Sequence, residues 1–87
     1  MTNIYIYCLF DVTGFLGVYS SLKAVHRDAL KFANRGYSNV YMIFNNETVS
    51  KPTLTGLRNT FKGKCDVEVK YRTENTSVTI YKTKLKE

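Results

Sequence analysis

The sequence predicts an α+β fold, a small two-layer sandwich in which two helices lie on one face of a mixed sheet in the order β-α-β-α-β-β. Three observations predict it. Strand-like apolar patterns occupy four stretches, apolar residues recur at helical spacing in two others, and the two kinds alternate along the chain before a closing pair of strands. At 87 residues the chain has room for one core, burying roughly 60–65% of the unfolded surface, so residues 1–87 read as a single domain.

The first strand runs from Asn3 to Asp11, with Ile4, Ile6, Cys8 and Phe10 on one face and Tyr5, Tyr7 and Leu9 on the other. Both faces are apolar or aromatic, which marks a central strand. Thr13-Gly14 supplies a turn, and Phe15 to Tyr19 is a short extended return. Ser20 or Ser21 then caps a helix from about Leu22 to Asn34, in which Leu22, Val25, Ala29, Phe32 and Ala33 share one face and Gly36 supplies the stop.

Ser38 to Asn45 is the second strong strand, its run Val40 to Phe44 apolar enough to be buried on both sides, and Asn45-Asn46 turns the chain. Ser50 and Pro52 signal a second helix whose buried face is Leu54, Leu57 and Phe61, closed by Gly63; Gly56 inside it costs roughly 1 kcal/mol relative to Ala. From Cys65 to Arg72 the chain alternates, with Cys65, Val67, Val69 and Tyr71 inward and Asp66, Glu68, Lys70 and Arg72 outward. A polar turn at Thr73 to Thr76 leads to a last strand, Ser77 to about Leu85. A short strand at Thr48-Val49 would shift the order toward a ferredoxin-like variant. In either arrangement two helices cover one sheet face and leave the other partly open.

Thirteen Lys and Arg against seven Asp and Glu give a net charge of +6, which permits attraction to nucleic acid, an anionic membrane or an acidic protein surface. Lys23, Arg27, Lys31 and Arg35 recur every four residues and so line one stripe of the first helix, a candidate partner-binding surface; the bland alternative is the solvated side that any amphipathic helix has. Seven Tyr and five Phe make the chain rich in aromatics. Tyr5, Tyr7, Tyr41 and Tyr81, all on strands, form a candidate aromatic surface if they share the open face, where they would stack unpaired bases or anchor a protein. Tyrosines also fit half-buried strands for purely structural reasons. Lys82, Lys84 and Lys86 alternate on the final strand, a pattern that fits protection of a sheet edge or contact with phosphate.

Catalysis finds little support. His26 is the single histidine, beside the basic stripe, and no nucleophile is tied to it by a motif. Asp11, Asp28, Asp66 and Glu68 form no recognisable metal or acid/base group, and the five glycines fit no phosphate loop. No cofactor and no metal are expected. Cys8 and Cys65 lack metal-ligand spacing and read as buried thiols. The first ten residues lack the basic region and cleavage site of a signal peptide, and no apolar run approaches the ~20 residues that span a bilayer, so the expectation is a cytoplasmic protein without a membrane partner.

Ile4 to Leu9 resembles the first-strand motif of the RNA-recognition motif domain, but that family's second motif, a basic residue and Gly followed by interleaved aromatics, is missing. The run Asp11-Val12-Thr13-Gly14-Phe15-Leu16-Gly17-Val18-Tyr19-Ser20-Ser21-Leu22-Lys23-Ala24, placed after a short hydrophobic strand, resembles small accessory proteins of tailed bacteriophages and their prophage relatives. The resemblance spans about the first forty residues. It implies a compact protein made during infection that binds a host enzyme, defence component or nucleoprotein and alters its activity; it carries over no site residue. The positive charge departs from inhibitors that mimic DNA, which are acidic. Two other readings stand beside it: a single-stranded RNA- or DNA-binding domain using the strand tyrosines with Lys and Arg, and a homodimeric interaction module.

Overall fold

The computed structural model describes residues 4–34, 39–74 and 76–86. Asn3, Arg35, Gly36, Ser38 and Asn75, to which the sequence assigns roles, lie outside them. The chain runs β1 (Tyr5–Asp11), β2 (Gly14–Tyr19), α1 (Leu22–Ala33), β3 (Tyr41–Phe44), β4 (Glu47–Ser50), α2 (Leu54–Phe61), β5 (Val67–Arg72), β6 (Ser77–Lys84). One six-stranded sheet has the order β2-β1-β6-β5-β3-β4, and every neighbouring pair is antiparallel.

The α+β sandwich is as the sequence predicts, but the expected β-α-β-α-β-β order and mixed sheet are corrected. Each strand expected to lead straight into a helix, β1 or β3, is instead the first arm of a hairpin. The return arm, β2 or β4, carries the chain back to the end of the sheet where the hairpin began, so the helix leaves in the opposite sense and the next strand enters antiparallel. The order is symmetric about the central β5–β6 hairpin: β1 flanks β6 with β2 outside it, and β3 flanks β5 with β4 outside it.

Local chemistry explains the turns and caps. The Asp11 carboxylate accepts from Thr13 N at 2.8 Å, Thr13 Oγ1 at 2.6 Å and Gly14 N at 3.1 Å, while Gly14 takes a positive φ of 133°. Asn45 and Asn46 are both left-handed, with φ of 53° and 64°, as a two-residue turn between right-twisted strands requires. Ser21 caps α1, accepting from Ala24 N at 3.2 Å, and Thr53 caps α2, accepting from Gly56 N at 2.9 Å. Gly56 therefore sits in the first turn, where the cap bond holds it.

Leu9, Met42, Val69, Tyr71, Val78 and Ile80 are buried and are cross-strand neighbours, Leu9 opposite Ile80, Ile80 opposite Val69, Val78 opposite Tyr71 and Tyr71 opposite Met42. They therefore lie on one face, where Val25, Ala29 and Ala33 of α1 and Leu57 and Phe61 of α2 close the core. The opposite face has no helix among the described residues. β5 begins at Val67 because Asp66 is left-handed, with φ of 57°, so Cys65 precedes the strand and is half-buried, as is Cys8.

Candidate functional site

The two helices form the first candidate surface. Lys23, Arg27 and Lys31 are exposed along the outer side of α1, as the four-residue spacing predicts; Arg35 lies outside the described residues. α2 adds exposed Arg58, and exposed Lys62 follows as its C-cap residue. Against these cations the two helices carry a single carboxylate, Asp28. Tyr19 donates to its Oδ2 at 2.7 Å and Arg27 Nε to its Oδ1 at 3.3 Å. The Tyr19 bond, followed by that from Arg27, holds the Asp28 carboxyl below its usual range, and the same bond raises the Tyr19 phenol. The exposed Arg27–Asp28 pair is worth little in stability, about 0–1 kcal/mol.

The second candidate is the open sheet face. Cross-strand register brings Phe15, Phe10, Thr79, Lys70, Ile43 and Thr48 into one row across all six strands, with Val18, Cys8, Tyr81 and Glu68 in the row beside it. Phe10 and Phe15 meet edge to face at 5.5 Å, and Phe15 and Val18 are 59% and 56% exposed. This face is apolar over β1 and β2 and charged over β5, where Lys70 and Arg72 point outward as the alternation predicts. Tyr81 and Thr83 both donate to Asp66 Oδ1, at 3.2 and 2.6 Å; these bonds, Thr83's foremost, depress the Asp66 carboxyl.

The four strand tyrosines do not share a face, which corrects the single aromatic surface expected. Tyr41 and Tyr81 stand on the open face, whereas Tyr5 and Tyr7 point to the helix side with Leu9, their partner in the period-two alternation. The Tyr7 and Phe61 rings are 6.0 Å apart, and burial pushes the Tyr7 phenol up. Edge protection by the C-terminal lysines is likewise overturned, because β6 lies at the centre of the sheet between β1 and β5. Lys82 instead points into the helix side, 8% exposed, and donates to the Phe61 carbonyl at 2.8 Å. Sequence reasoning missed the burial of this lysine, although Val78, Ile80 and Lys82 alternate on one face.

His26 faces the sheet. Its Nδ1 lies 2.6 Å from the hydroxyl of fully buried Tyr71, with the rings edge to face at 5.7 Å. Burial lowers the imidazole and raises the Tyr71 phenol. His26 and Tyr71 thus share a hydrogen bond that ties helix to sheet. No group of three or more potential metal ligands occurs among the described residues, and none of their helices is long and apolar enough to cross a membrane. The chain matches no family model, no curated protein and no solved structure.

Proposed function

We propose that the protein is a non-catalytic binding module, a phage-type accessory protein that docks its helix layer on an acidic surface of a host protein or nucleoprotein in the cytoplasm and alters that partner's activity. The observation that carries this reading is the segregation of charge. Lys23, Arg27, Lys31, Arg58 and Lys62 project from two adjacent helices whose single carboxylate is already bonded to Tyr19 and Arg27. A surface of one sign steers an oppositely charged partner and sets register more than it stabilises the fold. The placement of His26 in a bond to Tyr71 supports the non-catalytic reading, since it gives the one histidine a structural task.

The test is affinity capture of tagged protein from a bacterial lysate with and without nuclease, using the wild type and an Arg27→Glu/Lys31→Glu variant. One stoichiometric protein retained through nuclease by the wild type and lost by the variant is the expected result. Equal retention by the folded variant removes the helix layer from the reading.

A second reading, binding of single-stranded nucleic acid, is favoured by the open face, which the Phe10–Phe15 pair and Tyr81 share with Lys70 and Arg72. It predicts capture of a nuclease-sensitive set, steep weakening with salt, and a loss of roughly 1–3 kcal/mol for each stacking aromatic replaced by Ala.

A further inference from the structure

Lys82 is a cost that the fold leaves partly unanswered. It occupies a core-facing position of the central strand, in line with Val78 and Ile80, where an apolar side chain would pack without desolvating a charge. Among the described residues the contacts of its ammonium are the Phe61 carbonyl at 2.8 Å, the Tyr5 ring at 4.6 Å and the Phe61 ring at 6.0 Å, with no carboxylate among them. A lysine at the end of α2 suits the helix dipole, and one donated bond meets that need. Phe61 O already accepts from Lys64 N at 3.0 Å, however, so the carbonyl does not depend on Lys82 for a partner.

Lys82 also lines a cleft of about 320 Å³ between α2, the start of α1 and the β1–β6 pair. Its other walls are Arg58, Asn59 and Lys62 of α2, Tyr7 directly opposite Lys82 in the strand register, and the apolar surfaces of Leu22 and Phe61. No carboxylate among the described residues lines it. Three cations, a phenol and an amide thus converge from three elements on one space, at the lower end of small-molecule pocket volumes. Burial raises the Tyr7 phenol and so keeps it a hydrogen-bond donor.

We propose that this cleft is a binding site for the phosphate group of a small phosphorylated ligand, with Lys82 at its floor, Arg58 and Lys62 at its mouth and Leu22 against the rest of the molecule. A phosphate monoester brings a charge near −2 and three acceptor oxygens, which suits this donor set better than the two oxygens of a carboxylate. The site shares Arg58 and Lys62 with the helix layer but does not depend on what that layer docks on, and it gives the buried lysine its second partner.

The experiment is calorimetric titration of the full chain with inorganic phosphate, a nucleoside 5′-monophosphate and the same nucleoside without phosphate, using the wild type and three variants. The expected result is saturable one-to-one binding of the phosphate-bearing probes and none of the bare nucleoside. Arg58→Gln/Lys62→Gln, with both positions exposed, should weaken binding about tenfold or more, as loss of charge-assisted hydrogen bonds does. Lys82→Met should abolish it, with folding checked by circular dichroism, and Lys31→Gln, nine residues and so about 13 Å along α1 from Leu22, should leave it within about twofold, since screening confines exposed charges to a range of about 8 Å. No saturable phosphate binding, binding unchanged in Arg58→Gln/Lys62→Gln, or an equal loss from the α1 variant overturns the site. If Lys82→Met fails to fold, the exposed α2 pair decides alone.

Discussion

Replacing Tyr71 by Phe removes a single oxygen atom, and the structure sets what that oxygen is worth. Tyr71 is the largest fully buried side chain, and its hydroxyl is 2.6 Å from His26 Nδ1, tying α1 to β5. The ring and its packing remain in Tyr71→Phe, so the loss is the hydrogen bond, about 0.5–1.5 kcal/mol, plus part of the penalty for leaving the imidazole nitrogen unpaired. Because His26 is only half-buried, water recovers some of that penalty, and the total comes to about 1–2 kcal/mol. In a domain of this size each kcal/mol shifts Tm by about 4–8 °C, so a fall of about 5–15 °C follows. His26→Leu should cost more, since it strands a hydroxyl that no solvent reaches. Urea unfolding of both single variants and the double variant, followed by circular dichroism, measures the coupling, expected above about 0.5 kcal/mol. A Tyr71→Phe protein within about 0.3 kcal/mol of the wild type, or two singles that simply add, refutes the reasoning.

Acid should reveal the same bond. Burial holds His26 below its unfolded value of 6.5, so the unfolded chain binds its proton first; this stability is complete above about pH 6.5 and is lost as the pH falls through the lowered value, an acid limb that His26→Leu should lack. In the β1–β2 turn, Gly14→Ala finds open space around the new methyl, yet φ of 133° strains any L residue, so urea denaturation should register a loss of about 1–3 kcal/mol without local repacking. Ser21→Ala removes the cap of α1 and should lower stability by about 1 kcal/mol in the same assay. By contrast, Arg27→Glu/Lys31→Glu should unfold at the wild-type urea midpoint within about 0.5 kcal/mol, because both positions are exposed and lie outside the core.

Elements with strong local signals are legible in the sequence. The apolar face and serine cap place α1 to within a residue of its end, and the alternation of Val67, Val69 and Tyr71 with Glu68, Lys70 and Arg72 identifies both the strand and its outward charges. The edge strands are harder to read, because β4 has four residues and β2 carries two glycines among its six, too little pattern to separate a strand from a loop. Strand order is set by pairings distant in sequence, and nothing local at Ser77–Lys84 says that it is central. Orientation fails for a related reason: β1 is apolar on both faces, so its alternation separates Tyr5 and Tyr7 from Ile6 and Cys8 without saying which set meets the helices. The α1 stripe follows from helical geometry alone, whereas the cleft at Lys82 needs α2, β1 and β6 brought together.

The central position of the β5–β6 hairpin also governs the route to the native state. Cys8 pairs with Tyr81 and Leu85 N donates to Ile4 O at 2.8 Å, so the inner edge of β1 stays unpaired until β6 arrives. Until then the β1–β2 hairpin displays open backbone groups beside Ile6, Phe10 and Phe15, the kind of exposed edge on which chains self-associate. Closure over such long loops is slow, so refolding should be slower than for a helical domain of equal length and increasingly aggregation-prone as protein concentration rises.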